Sequence, residues 1–234
     1  MKRRILAAVC VLAVLLTAAG VYLGAGYQAA DSAQAAMQGS IEHGGTAAFV
    51  PEKEKEILGG LIFYPGGLVD YRAYAPLMQA LKARGVLCLL TSMPLDLAVL
   101  DMNAADGLQA LYPDVDRWLI GGHSLGGAMA ASYLAKHSDE YEGLALLGAY
   151  SIADLSRADI CVLSVYGTQD GVLNRSKYDE CLANYPKDFT EVVIDGGCHA
   201  YFGDYGEQRG DGQSSISRQQ QIEIAADAVA AMLR

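Results

Sequence analysis

Ser124 stands in the run Trp118-Leu119-Ile120-Gly121-Gly122-His123-Ser124-Leu125-Gly126-Gly127, where an apolar strand pattern meets Gly-x-Ser-x-Gly and then a helix-forming stretch. That spacing reads as a nucleophile elbow. A serine on so tight a strand-to-helix turn takes strained backbone angles, and neighbouring backbone must pass within touching distance. Gly122 and Gly126 remove the side chains that would collide. The turn also puts Ser124 at the N-terminus of an expected helix over 125–137, where free N–H groups and the helix dipole favour the negative charge of an acyl-transfer intermediate. The chemistry on offer is attack by an activated hydroxyl on an acyl carbon.

Such a hydroxyl needs a base, and the base needs a carboxylate to fix its tautomer. Of the four histidines, His43 lies before the first strand, His123 sits inside the elbow and His137 falls at the far end of the elbow helix. His199, in Asp195-Gly196-Gly197-Cys198-His199-Ala200, follows the last strand in a glycine-rich turn, and is the expected base. The strand over 160–166 ends in Gly167-Thr168-Gln169-Asp170-Gly171, which places Asp170 just past a strand end as the expected carboxylate. Asp195 and Asp204 are its alternatives, whereas Asp154 and Asp159 read as solvated loop charges. For the oxyanion, the N–H of Leu125 is paired with one from Pro65-Gly66-Gly67-Leu68, either Gly67 or Leu68, with Gly67 slightly preferred.

These residues must be carried on a regular frame. Strands are expected over 46–50, 57–64, 86–90, 117–121, 143–147, 160–166 and 189–194, and helices over 74–84, 97–111, 125–137, 177–184 and 217–232. The last helix opens on Ser217-x-x-Gln220, which fits a capping box. Alternating strands and helices predict an α/β fold, a mainly parallel sheet with helices on both faces, and ligands in such a sheet bind beyond the carboxyl ends of the strands. No internal repeat interrupts the pattern.

At 234 residues the chain is long enough for one sizeable core. Ahead of that core, Lys2, Arg3 and Arg4 precede residues 5–30, which carry no charge. The pattern predicts a membrane anchor or a signal segment over 1–30 with the domain outside the cytoplasmic membrane. The length of the 5–23 run favours a retained anchor, while Ala33-Gln34-Ala35 offers a cleavage site and the alternative of a secreted protein. Residues 31–43 read as a small-residue linker and 44–234 as the domain. The formal net charge of −10 disfavours polyanionic partners, and no cluster of Lys and Arg after residue 4 supports nucleic-acid binding. The spacing of Cys88, Cys161, Cys181 and Cys198 fits neither a zinc module nor a redox pair, and an exported chain permits a disulfide, for instance between Cys181 and Cys198, without demanding one. Cys198 beside His199 leaves a cysteine-nucleophile reading open. The carboxylates of 203–212 do not meet a calcium-loop pattern, so no metal is expected.

Tyr64-Pro65-Gly66-Gly67, Gly122-His123-Ser124-Leu125-Gly126-Gly127, Gly167-Thr168-Gln169-Asp170-Gly171 and Gly197-Cys198-His199-Ala200, in the order Ser, Asp, His, make the chain resemble an α/β-hydrolase from about residue 46 to the end. It is most similar to the compact, lidless branch related to dienelactone hydrolases and small bacterial esterases. It differs from the former in carrying Ser124 where they use cysteine, and only a short loop separates Tyr150 from Ile160 where lipases insert a lid. The resemblance implies a serine hydrolase without cofactor, acting on a small-molecule acyl substrate, with carboxylic esters as the expected class. Peptidase, thioesterase and acyltransferase versions share the machinery, and a tethered binding protein on a silent scaffold is the rival of another kind.

Overall fold

Continuous apolar runs become strands covered on both sides. In the computed structural model, which describes residues 20, 26–52 and 57–234, β3 (Gly59–Tyr64), β4 (Val86–Thr91), β5 (Trp118–His123) and β6 (Gly143–Leu147) are buried at every position. Helices on both faces of a parallel sheet require this. Side chains alternate as the pleat dictates: on β3, Leu61 and Phe63 enter one core layer, Ile62 and Tyr64 the other. With β1 (Ile41–His43), β2 (Thr46–Phe49), β7 (Cys161–Gly167) and β8 (Phe189–Ile194), the sheet runs β1-β2-β4-β3-β5-β6-β7-β8. β1 and β2 pair antiparallel with each other and β2 with β4, while every other pair is parallel.

Three helices cover one face: α1 (Asp31–Ala36), α2 (Ala75–Ala83) and α5 (Arg218–Ala231) bury Ala33, Leu77 and Ala225 in a common core with Leu61 and Phe63. On the other face α3 (Leu125–Leu134) packs Ala130, Ala131 and Leu134 against Ile62 and Ile120. The short α4 (Arg175–Cys181) joins β7 to β8, and α5 opens with the expected capping box, Ser217 and Gln220 each bonding the other's backbone.

Two segments differ from what their composition suggests. Residues 31–43, expected as a linker, carry α1 and the edge strand β1, because Ala29 and Ala33 are small enough to bury against the core. The helix expected over 97–111 is instead a series of tight turns, Ala98–Leu100 and Leu108–Leu111 among them. Asp101, Asn103 and Asp106 favour turns over helix interiors, Gly107 sits at φ 72, and Val99 and Leu100 stay exposed rather than forming a buried stripe. The Tyr64 hydroxyl holds these turns in place, donating to the Met102 carbonyl at 2.9 Å and accepting the Ala105 N–H at 2.9 Å. The elbow helix also stops earlier than expected, at Leu134.

The apolar run 5–23 lies outside the described residues apart from Gly20. Among the described residues no helix is long and apolar enough to cross a membrane.

The sheet and α3 meet where backbone touches backbone. A Cβ on Gly126 would collide with the carbonyl oxygens of Pro65 and Tyr64, and one on Gly122 with the backbone of Tyr64 and Gly126. Because carbonyls of a central strand cannot swing aside, Gly126→Ala is expected to cost about 1–3 kcal/mol or more. Urea unfolding followed by Trp118 fluorescence checks this; an unchanged midpoint would contradict so close an approach.

Candidate active site

The end of β5 delivers Ser124 with φ 52 and ψ −123, a left-handed backbone that a side chain rarely adopts. Its N–H is tied to the Leu147 carbonyl at 3.0 Å, and its hydroxyl makes no capping bond to α3. The side chain lines a cavity of about 320 Å³, which it shares with His199 and with Leu125, Ala128, Ile152, Val172 and Leu173. A larger cleft of about 580 Å³ lies at the opposite ends of the strands beside Arg117, Glu142 and Cys161. It contains neither Ser124 nor His199, so size does not mark the site here.

The loops after β7 and β8 bring Asp170 to His199. Asp170 Oδ2 meets His199 Nδ1 at 2.8 Å, with both side chains 1% exposed. The other carboxylate oxygen, Oδ1, accepts the N–H groups of Val172 and Leu173 at 2.9 and 2.8 Å. Both oxygens being held, the imidazole is fixed in orientation; His199 lines the cavity, and among the described residues its buried Nε2 has no hydrogen-bond partner. The bond from Ser124 to Nε2 is thus open in this structure, as catalytic hydrogen bonds often are before a substrate closes them.

The alternative carboxylates are engaged elsewhere. Asp195 accepts the Thr168 hydroxyl at 3.3 Å, while Asp204 is buried against Arg218 at 2.6 Å and takes the Ser32 hydroxyl. Cys198 is also set apart from the chemistry. Burial pushes its thiol up to about 12, and its backbone is clamped by Gln221, which accepts the Cys198 N–H at 3.0 Å and donates to the Cys198 carbonyl at 2.7 Å. Cys88, Cys161, Cys181 and Cys198 are all free.

Of the two oxyanion donors expected from the loop after β3, the structure separates Gly67 from Leu68. The Leu68 N–H is spent on the Asp96 carbonyl at 2.7 Å, and the Gly66 N–H on the Tyr74 hydroxyl at 3.0 Å. Leu68 is therefore corrected as a donor. The Gly67 amide remains, on a residue packed so closely to Leu125 that a Cβ would strike the Leu125 side chain.

Asp211 is a residue that the sequence does not single out. Its Oδ1 accepts the N–H groups of His199, Gly171 and Gly212 at 3.0, 3.1 and 2.8 Å, and its Oδ2 that of Ala200 at 2.8 Å. One carboxylate thereby joins the loop of His199 to the loop of Asp170. Burial alone would raise its pKa, but the four backbone donors outweigh burial and hold it below the usual carboxylate value. In sequence it is one acidic residue of a glycine-rich loop, with nothing to distinguish it from Asp204.

A model of the alpha/beta hydrolase family matches residues 60–223. The chain belongs to that family. Among solved structures, this hydrolase is similar to the esterase domain of a Rhodothermus marinus protein, with 15% identity over 80% of this chain and 90% of that one and a TM-score of 0.59. It is also similar to Est1E from Butyrivibrio proteoclasticus with ferulic acid bound, at 15% identity over 82% and 98% of the two chains and a TM-score of 0.60. A monoacylglycerol lipase from Paleococcus ferrophilus gives 12% identity over 80% and 98% with a TM-score of 0.63. At these identities the likeness is one of fold, and the finer kinship with dienelactone hydrolases is not shown by it. No curated protein matches the chain.

Beneath the site of this hydrolase, Tyr74 and His123 form a second buried pair, with the Tyr74 hydroxyl 2.8 Å from His123 Nδ1. Accepting from Gly66 and bonded to His123 Nδ1, that hydroxyl fixes where the Pro65-Gly66-Gly67 backbone runs. Burial, and then the His199 ring 4.4 Å away, hold His123 well below the ordinary imidazole pKa. The folded chain therefore resists a proton that the unfolded chain accepts below about pH 6.5. Stability should be full above that pH and fall below it by up to about 1.4 kcal/mol per pH unit from this group. Urea midpoints at pH 7, 6 and 5 for wild type and His123→Gln check this; equal slopes would contradict it.

Proposed function

We propose that the chain is a serine hydrolase that cleaves carboxylic esters through an acyl-enzyme. The observation carrying this reading is His199, held by Asp170 at 2.8 Å, with its Nε2 unpartnered among the described residues and the residue lining the same cavity as Ser124. His199 takes the proton of Ser124 as Oγ attacks the ester carbonyl, and Asp170 stabilises the imidazolium without accepting the proton. The oxyanion is received by the amides of Leu125, at the start of α3, and Gly67. His199 then gives its proton to the departing alcohol, and water, deprotonated by the same ring, releases the acid and restores Ser124.

The lining favours a neutral acyl group. Among the described residues, Ser124, Asn174, Tyr150 and His199 are the polar side chains around the cavity, and no Asp, Glu, Lys or Arg lines it to receive a peptide terminus or a phosphate. The loop between β6 and β7 runs through tight turns and inserts no lid domain, which suits short to medium chains in an open site. The esterase and monoacylglycerol lipase names of the similar structures agree with ester chemistry. The apolar run 5–23 is part of the same proposal, as an anchor that holds the domain at the outer face of a membrane.

Hydrolysis of p-nitrophenyl esters from acetate to dodecanoate by the detergent-solubilised full chain tests the reading. Turnover should favour the shorter chains, with kcat falling about 10³-fold or more in Ser124→Ala and about 10²–10⁴-fold in Asp170→Asn. A folded wild type inert on every chain length, or activity that survives Ser124→Ala, would overturn it.

A further inference from the structure

The chain enters the described fold beside the oxyanion loop. Tyr27 forms a parallel bridge with Val69: its N–H donates to the Leu68 carbonyl at 2.7 Å, and its carbonyl accepts the Asp70 N–H at 2.9 Å. Leu68 has φ 60, in the left-handed region that a leucine seldom occupies, and it is held there from two sides, by Tyr27 on its carbonyl and by Asp96 on its N–H. Gly67, the remaining amide donor, is the residue just before it.

The same segment reaches the loop that follows His199. The Tyr27 hydroxyl accepts the Arg209 N–H at 3.1 Å, its ring packs on Tyr205, the Ala30 N–H donates to the Asp204 carbonyl at 2.9 Å, and Ser32 bonds the Asp204 carboxylate. Arg209 is two residues before Asp211, whose carboxylate carries the His199 and Gly171 amides. At its far end the segment is fastened to α2, where Gln79 donates to the Ala36 carbonyl at 2.7 Å.

We propose that residues 27–36 are a strap that positions Gly67 and the His199 loop relative to each other, so that acyl transfer depends on this segment staying joined to the domain. The inference rests on the serine-hydrolase reading. Tyr27 acts through Leu68 and touches no reacting atom, which makes it a positioning residue. Cleavage after Ala35 would remove Tyr27 and leave Leu68 supported from one side only. A retained N-terminal segment is therefore what the site requires.

The test uses the full chain in detergent. Tyr27→Pro deletes the N–H given to Leu68, and should lower kcat on a p-nitrophenyl ester about ten-fold or more while KM stays within about three-fold. Tyr27→Phe keeps that N–H and the ring, and should restore most of kcat. Hydrogen exchange, which needs no catalysis, should find the Asp70 amide protected in wild type and faster in Tyr27→Pro. Wild-type kcat in Tyr27→Pro, or an Asp70 amide that exchanges in wild type as fast as an unprotected one, would overturn the strap. Should Tyr27→Pro not fold, the wild-type exchange decides alone. Absence of Ser124-dependent turnover in wild type would instead overturn the hydrolase reading, with the exchange still deciding whether the strap holds the loop.

Discussion

Everything at this site depends on how closely the elbow can approach the end of β3. Ser124 is presented because Gly122 and Gly126 let the start of α3 lie directly on the carbonyls of Tyr64 and Pro65. The same approach lays the loop after β3 over Leu125, so closely that a Cβ on Gly67 would strike the Leu125 side chain. The proposed nucleophile, Ser124, and the proposed oxyanion donors, the amides of Leu125 and Gly67, are thus carried on elements joined by a single backbone contact. Strain at Ser124, with φ 52, is tolerated because the surrounding sheet fixes it, with the Leu147 carbonyl holding its N–H.

Around that contact, identical side-chain types take different work from their surroundings. Asp170 keeps one oxygen for His199 and gives the other to two amides. Asp211 gives both oxygens to four amides and so joins two loops, and Asp204, facing Arg218 and Ser32, fastens the N-terminal segment. The histidines divide likewise. His199 lines the cavity, held by Asp170 through Nδ1, while His123, one residue before the serine and buried beside Tyr74, serves the backbone of the loop after β3. The strap over 27–36 adds a third tie, between the loop after β3 and the loop after His199.

The residues legible in the sequence are those whose signal is local. Gly-x-Ser-x-Gly after an apolar run, a histidine in a glycine-rich turn after the last strand and an aspartate just past a strand end each carry their meaning within ten residues. The central strands were equally readable, because burial on both faces writes a continuous apolar run. What could not be read is held from a distance. Asp211 acts through backbone amides that no side-chain pattern advertises, and the exclusion of Leu68 as a donor depends on a carbonyl at Asp96, 28 positions away in the chain. Residues 31–43 looked like linker because small residues write no stripe. The stretch 97–111 looked helical by spacing, but turn-forming Asp and Asn with Gly107 at φ 72 decided its local structure.

In the proposed reaction, Ser124, His199 and the amides of Leu125 and Gly67 converge on one reacting atom. A crystal structure of the full chain after reaction with an alkyl p-nitrophenyl phosphonate tests it most directly. Phosphorus should be bonded to Ser124 Oγ, with the phosphoryl oxygen about 3 Å from both amides and His199 Nε2 within hydrogen-bond reach of Oγ. Phosphorus on another residue, or a phosphoryl oxygen turned away from Gly67 and Leu125, would contradict it.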